Sequence, residues 1–340
     1  MEPGAAINGT VSTQLIRLVR DSALRAGADP GQLAAIAGTD DATLSGELNR
    51  IPIGSLIRLW ELVSHSGGGT GAGLAVVEAA PLGTLSTWDY LVTTGPTLTE
   101  SLRGAQPYHR LVTAAEEGFD LHADGDLTVG FRTTAGDPAV VSVVNEYVLA
   151  YYLRRAREAT GRDVRPTRVT FADAAPARHA ELITAFGTEN IEFGADADSI
   201  TFAAADAHAP LLRADPTLAA LLRSHADLVL NSSKAVADPL DAFRTALTAA
   251  LAEADLTLDT VAHRLLLGRR TLQRQLSDHG TTWRQEVDRA RHEQAESLLA
   301  QGNLTTAAIA TRLGFTDDRA FRKAFHRWTG ASPSAARTAH

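Results

Sequence analysis

Residues 304–333 read LTTAAIATRLGFTDDRAFRKAFHRWTGASP. The spacing predicts two short helices joined by a tight turn, followed by a stop at Pro333. Thr305 is placed to cap the first helix, and Ala308, Ile309 and Leu313 give it an apolar stripe. Gly314 stands where a chain leaves a helix with positive φ. Phe315 opens the turn, and Thr316 or Asp317 is placed to cap the second helix. At about 100° per residue, Phe321 and Phe325 share one face of that helix. Arg319, Arg322, Lys323 and His326 fall on the other. A helix held down by two Phe, with cations facing outward, has the form needed to enter a DNA major groove.

A near-copy lies upstream, LDTVAHRLLLGRRTLQRQLSDHG, with Thr257 ahead of its first helix. Val261 and Leu265 line the first helix, and Leu272 and Leu276 anchor the second. Ala262 to Leu265 recurs as Ala310 to Leu313, 48 residues later, while Leu272 and Phe321 are 49 apart. One extra residue therefore sits in the second turn. Arg270, Gln273, Arg274 and Ser277 project away from the leucine anchors. An internal repeat of this unit is far more specific than either copy alone.

The region from about Leu240 to Arg337 resembles the DNA-binding domain of the AraC family of bacterial transcription regulators. In the first unit the resemblance rests on Ala262, Leu265, Thr271, Leu272, Gln273 and Arg274. In the second it rests on Ile309, Ala310, Leu313, Gly314, Phe315, Ala320, Phe321, Phe325, Trp328, Thr329, Gly330, Ser332 and Pro333. It implies an all-α domain with two helix-turn-helix units joined by a linker helix. The implied partner is double-stranded DNA, with RNA polymerase and a second copy of the chain as further candidates.

Two positions depart from the pattern. Leu266 stands where the second unit has Gly314, so it must take a positive φ at a cost of about 1 kcal/mol or reshape the turn. Gly268 replaces the usual Ser before the recognition helix and is a weaker cap. The first unit is therefore expected to be the less rigid one. Between the units, Trp283, Val287, Ala295, Leu298 and Leu299 form a helical stripe. The 18 residues from Trp283 to Ala300 would span about 27 Å.

The whole chain of 340 residues carries a net charge of −8, which sits awkwardly with DNA binding. Residues 238–340 hold 14 Lys and Arg against 12 Asp and Glu, whereas residues 1–237 hold 18 against 28. Attraction to DNA must then come from where the Arg residues lie. Only two of the 32 cations are Lys, which suits planar guanidinium contacts. The absence of cysteine excludes disulfides, thiol nucleophiles and thiolate metal sites. No metal or cofactor is expected. No signal segment and no run of 18 apolar residues appears, so no membrane partner and a cytoplasmic location are expected.

The N-terminal part reads as an α+β domain, with helices first and then a mixed, mostly antiparallel sheet. Residues 1–11 show no period and should fray. Helices are expected from Ser12, from Pro30, over Ile53–Val63, Leu85–Val92, Thr97–Tyr108, Val141–Arg155 and His179–Phe186. Asp124-Gly125 marks a hairpin between Phe119–His122 and Leu127–Phe131. Further strands are expected at Arg168–Phe171, Ile191–Phe193 and Ser199–Phe202. The glycine-rich SHSGGGTGAG (64–73) lacks a following Gly-Lys-Ser/Thr and leaves a helix instead of a strand, so it reads as a connection and not a phosphate loop. The domains expected are 1–230, a polar linker at 231–238, and 239–340.

This part is similar to the ligand-binding domain that precedes the DNA-binding half in the arabinose-binding-like subgroup of the AraC family. The match rests on Leu82-Gly83 with Tyr90 and Leu91, Pro96-Thr97-Leu98 with Leu102, Tyr108-His109, and Phe193-Gly194. It implies a small-molecule sensor. Trp60, Trp88, Tyr90, Tyr108, His109, Tyr147 and Tyr151 are the candidates to line an apolar pocket for an apolar effector.

On the DNA side, an Arg fork matches guanine O6 and N7, and Gln pairs similarly with adenine. Arg270, Gln273 and Arg274 are the candidates for base edges in the first unit, and the family's motif supports all three. Arg319 and Lys323 are their counterparts in the second. Asp318 would accept from cytosine or cap its helix. Arg322 and His326 suit phosphates. An enzymatic N-terminal domain is the main rival. It lacks support: His292-Glu293 has no partner for His-Glu-x-x-His, and no Gly-x-Ser-x-Gly turn is present. A second rival, an adaptor that no longer binds DNA, would have lost the Arg face.

Overall fold

The computed structural model describes residues 7, 9–67, 70–114, 118–133, 137–176, 179–236, 240–253, 255–278, 281–300, 304–329, 332–333 and 336. The chain divides into two compact units, Met1–Val236 and Ala237–His340.

The first unit opens with β1 (Thr10–Ser12), α1 (Thr13–Arg25), α2 (Pro30–Ala34), α3 (Asp41–Ser45), β2 (Asn49–Pro52), α4 (Ile53–Ser66) and α5 (Ala72–Glu78). Next come α6 (Thr87–Leu91), α7 (Leu98–Ala105), a 3-10 turn (Gln106–Leu111), the hairpin β3 (Gly118–Asp124) and β4 (Asp126–Arg132), and α8 (Pro138–Thr160). It ends with β5 (Arg168–Phe171), α9 (Ala180–Phe186), β6 (Ile191–Phe193), β7 (Asp198–Phe202), α10 (Ala204–Ala207), α11 (Pro216–Ser232) and β8 (Lys234–Ala235).

Helix α8 is the axis of this unit. Its ends are well specified: Asp137 accepts from the Val140 amide at 3.0 Å, Pro138 takes the first turn, and Gly161 closes it with φ 66°. Val143, Tyr147, Leu149, Tyr151, Leu153 and Ala156 are all buried. A helix apolar on nearly every side belongs in a core. The five-stranded sheet runs β3-β4-β7-β5-β6. Its pairs are antiparallel except β5 with β6, and α9 supplies that parallel crossover. Along β4, Leu127, Val129 and Phe131 alternate inward, the period-2 signature of a half-buried strand.

The hairpin and the three short strands stand where the sequence put them, with Gly125 turning the hairpin at φ 106°. Other expectations shift. The helix expected over Thr97–Tyr108 tightens into the 3-10 turn after Ala105, where Pro107 enters. Residues 9–11, expected to fray, are tied down instead: β1 pairs with β2, and β2 with β8, in a separate three-stranded sheet. Residues 231–235, expected in the linker, finish α11 and form β8, whose register sets Asn49 opposite Lys234. Val236 follows, its amide donating to Arg50 O at 2.8 Å, and 237–238 lie outside the described residues.

The glycine-rich stretch earns its composition through packing, though residues 68–69 lie outside the described ones. A Cβ on Gly73 would stand 2.3 Å from the Val143 carbonyl oxygen, so α5 approaches α8 more closely than any side chain allows. Glu146 of α8 accepts from the Gly71 amide at 2.9 Å.

The second unit is helical in its described residues. Its helices are α12 (Asp241–Ala252), α13 (Leu258–Arg264), α14 (Arg269–Asp278), α15 (Trp283–Ala300), α16 (Thr306–Arg312) and α17 (Asp318–Thr329). Two small cores form. Phe243, Leu247, Val261, Leu272, Leu276 and Val287 make the first. Leu251, Leu298, Ile309, Leu313, Phe321 and Phe325 make the second. The leading half of α15 packs into one core and its trailing half into the other. Of the apolar stripe expected on α16, Ala308 is exposed and Ala310 takes its place in the core.

Candidate DNA-reading face and sensor cavity

Both helix-turn-helix units are built the same way. Thr257 accepts from the Thr260 amide at 3.1 Å and Thr305 from Ala308 at 3.2 Å, capping α13 and α16. In the first turn the Leu266 amide donates to His263 O at 3.0 Å and Leu267 to Ala262 O at 2.9 Å. In the second, Gly314 donates to Thr311 O at 3.1 Å and Phe315 to Ala310 O at 2.9 Å. The bonds match at an offset of 48 residues, so Leu266 does adopt the left-handed conformation, with φ 55° against 70° for Gly314. Its side chain is 92% exposed.

The recognition helices follow. Leu272 and Leu276 of α14, and Phe321 and Phe325 of α17, are buried. Arg270, Gln273 and Arg274 are exposed on α14, as are Arg319, Arg322, Lys323 and His326 on α17. Arg322 donates to Asp318 at 2.6 Å. Among the described residues, Arg270, Arg274, Arg319, Lys323 and His326 form no ion pair, which leaves these side chains open to an anionic partner. The cap of α17 is Asp317, whose Oδ1 accepts from the Ala320 amide at 2.7 Å. That corrects the reading of Asp318 as a cap: it stands one residue inside the helix, where its carboxylate reaches Arg322 one turn on. No side chain at Gly268 serves α14 in this way.

Arg291 of α15 was not among the expected functional residues. It donates to Leu313 O at 2.9 Å and Gly314 O at 3.1 Å, and its guanidinium lies 4.8 Å from the centre of the Phe315 ring. The linker helix thereby grips the second turn. At the same offset of 48, the first unit has Phe243 in place of this Arg, packing edge-on to Trp283 at 6.3 Å. Comparing the two copies position by position could have found this difference.

In the first unit, a cavity of about 50 Å³ lies among α1, α4, α6, α8 and β4. Of the seven sensor candidates, Trp60, Trp88, His109, Tyr147 and Tyr151 line it. Tyr90 and Tyr108 do not, and the reason is geometric. Trp88 and Tyr90 are two residues apart on α6, so they point to nearly opposite sides. Tyr90 is 38% exposed. Tyr108 interacts instead with Asp227 and Arg223 of α11. The cavity wall is a chain of ring contacts: Trp60 to Tyr147 at 5.2 Å, Tyr147 to Tyr151 at 6.1 Å, and Trp88 to His109 at 5.5 Å. Desolvation holds His109 down to about 4, so its imidazole is neutral at pH 7.

Behind this wall is a buried ion pair that the sequence reading missed. Asp89 Oδ1 accepts from Arg155 Nε at 2.9 Å and from the Tyr151 hydroxyl at 2.6 Å. Its Oδ2 accepts from the Gly83 and Leu85 amides at 2.8 and 2.9 Å. Arg155 also donates to Ala80 O at 2.8 Å and pairs with Glu158. Asp89 and Arg155 are 0% and 1% exposed. Every lone pair is matched, as burial of two charges demands.

Comparison with known proteins agrees with this geometry. Residues 27–211, more than half of the chain, match the family described as the arabinose-binding domain of AraC transcription regulator, N-terminal. Residues 261–339 match a helix-turn-helix domain family. The chain belongs to the AraC family of transcription regulators. It is 26% identical over 258 residues to the ornithine utilization regulator of Pseudomonas aeruginosa, covering 74% of this chain and 73% of that protein. It is 43% identical over 76 residues to the HTH-type transcriptional regulator VqsM of the same organism, covering 22% of this chain and 23% of VqsM. Among solved structures it is similar to the regulator CdpR from Pseudomonas aeruginosa, at 21% identity and a TM-score of 0.41 over 82% of this chain and 90% of that one. These AraC-family matches are to regulators and not enzymes, as the sequence suggested. No helix among the described residues is long and apolar enough to cross a membrane.

Proposed function

We propose that this AraC-family chain binds specific DNA sites through both helix-turn-helix units, which read adjacent major grooves, and that a small apolar effector held in the first unit controls it. The observation that carries the DNA reading is the repeated recognition helix, α14 and α17, each anchored by two buried side chains and each presenting exposed cations. Arg270, Gln273 and Arg274 are assigned to base edges in one groove, and Arg319 and Lys323 to those in the next. Arg322, held by Asp318, and His326 are assigned to phosphates. The effector reading is supported by the aromatic cavity in the unit that matches the arabinose-binding domain family.

The test is to select bound fragments from a random DNA library and titrate the winning fragment by gel shift at several salt concentrations. Affinity should fall steeply with salt. The double variant Arg274→Ala, Arg319→Ala should lose about 100-fold or more in specific affinity, at about 1–3 kcal/mol per bidentate contact. Affinity within twofold of the unsubstituted chain would overturn the reading.

A further inference from the structure

The cavity has one feature that the aromatic packing does not explain. The Tyr147 hydroxyl is buried and has no hydrogen-bond partner in the protein; the residue lines the cavity, and the charges of Asp89 and Arg155 act on its hydroxyl from behind with opposite sign. A buried hydroxyl without a partner is costly, at about 1–3 kcal/mol. Phe at this position would fill the same wall without that cost. The neighbouring Tyr151 hydroxyl, by contrast, is committed to Asp89 at 2.6 Å.

The rest of the lining fixes what the hydroxyl can meet. Leu56, Trp60, Leu85, Trp88, Phe131 and Val144 present carbon to the cavity, His109, Thr113, Tyr151 and Tyr152 add neutral polar side chains, and no Asp, Glu, Lys or Arg lines it. The nearest charges, Asp89 and Arg155, neutralise each other behind the wall. A carboxylate in this cavity would lose its hydration and find no cation. A sugar is too large for the space. At about 50 Å³, the space holds about three or four heavy atoms, since one water needs roughly 10–15 Å³ and a benzene-binding cavity about 150 Å³.

We infer that the cavity takes a short, neutral, chiefly apolar molecule with a single oxygen (an alcohol, aldehyde or ketone) and that this oxygen sits on the Tyr147 hydroxyl. The inference rests on the sensor reading of the first unit and gives that sensor a ligand class. The class differs from what the name of the matching domain family would suggest. The Asp89 network supports it by fixing the site in advance: Asp89 holds the amides of Gly83 and Leu85, so the Leu85 wall is set before a ligand enters.

The test uses the full chain and saturation-transfer NMR with propan-1-ol, sodium propionate and L-arabinose as separate probes. Propan-1-ol should receive saturation, and propionate and arabinose should not. Tyr147→Phe should weaken the alcohol's binding at least fivefold. Val144→Ile, which fills part of the space without touching the hydroxyl, should weaken it as well. Equal transfer to propionate or arabinose overturns the inference, as does an alcohol signal unchanged by both substitutions. Absence of transfer from propan-1-ol also overturns it, and would mean that the cavity takes water only. A gel shift with the selected DNA fragment separates this inference from the reading beneath it. If propan-1-ol binds at Tyr147 but leaves DNA affinity unchanged, the ligand class stands and control by this site fails. If a charged metabolite alters DNA affinity while propan-1-ol does not bind, the sensor reading stands and the ligand class fails.

Discussion

Leu266 and Gly314 occupy equivalent places in the two turns, with φ of 55° and 70°. Only the glycine reaches that region without its Cβ crowding the backbone. Since the Leu266 side chain is 92% exposed, it gains little packing in return. Leu266→Gly should therefore stabilise the protein by about 0.5 kcal/mol, the relief of strain less the extra freedom of glycine in the unfolded chain. A rise in the urea midpoint at constant slope would show it, and an unchanged midpoint would refute it. This conflict was legible in the sequence because the repeat supplied its own control. The Asp89–Arg155 pair was not, because nothing in the spacing of two charged residues 66 apart reveals that both are buried. Asp89→Asn leaves the Arg155 guanidinium buried with too little counter-charge, and should destabilise by about 3 kcal/mol or more in the same urea experiment. Glu146 gives a pH dependence. Burial, partly offset by the Gly71 and Gly73 amides, raises its carboxyl from 4.5 to about 7. Between those values the folded protein keeps a proton that the unfolded chain has released, so its contribution to stability falls as pH rises through that window. Glu146→Gln should remove this fall. The difference in unfolding free energy between the two proteins should change by something on the order of 3 kcal/mol from pH 4.5 to pH 7. Parallel pH profiles would refute the assignment.

Helix α15 joins the two cores, and its boundaries, Trp283 and Ala300, were those given by its apolar stripe. A long helix with a regular stripe announces itself, because its period repeats over several turns. The strands of the small sheet, at two to four residues, are too short to show any period. Their pairing depends on partners about 40 and 185 residues away. The same locality limit applies to the cavity. Its aromatic residues were recognisable, but the side of α6 on which Tyr90 lies depended on where that five-residue helix packs. Within the second unit, α15 treats the two copies unequally. Arg291 binds the turn of the second copy through two carbonyls and the Phe315 face, while the first copy carries the strained Leu266 and the uncapped Gly268. Amide exchange should therefore be faster in α13 and α14 than in α16 and α17. Arg291→Ala should narrow the gap by lowering protection in α16 and α17 tenfold or more, given about 1.5–3 kcal/mol for hydrogen bonds to a charged group. Equal protection in the unsubstituted protein would contradict the asymmetry.

At the scale of the whole chain, charge and geometry divide the labour. Residues 1–237 carry a net −10 and residues 238–340 a net +2, so the overall −8 conceals a DNA-directed face built from few, well-placed cations. Composition alone argued against a nucleic-acid partner, and only the position of each Arg on its helix reversed that. The same geometry makes a demand on the DNA. The linker helix α15, 18 residues long, spans about 27 Å, whereas successive major grooves on one face of straight DNA lie about 34 Å apart. If α15 holds α14 and α17 no farther apart than its own length, then either the duplex bends toward the protein, at an elastic cost of about 1–6 kcal/mol for a bend of 40–90°, or one unit engages weakly. The first helix-turn-helix, expected to be the less rigid, is the one that would yield if the DNA resisted. With the selected site placed at different positions along otherwise identical fragments, the complexes should migrate slowest when the site is central, reporting a bend. Replacing the base pairs between the two half-sites with a stiff A-tract should lower affinity without touching any contacted base, and should weaken the footprint over the α14 half-site before that over α17. Straight DNA with both half-sites fully protected would mean that the linker helix does not set the spacing of the two units on the groove.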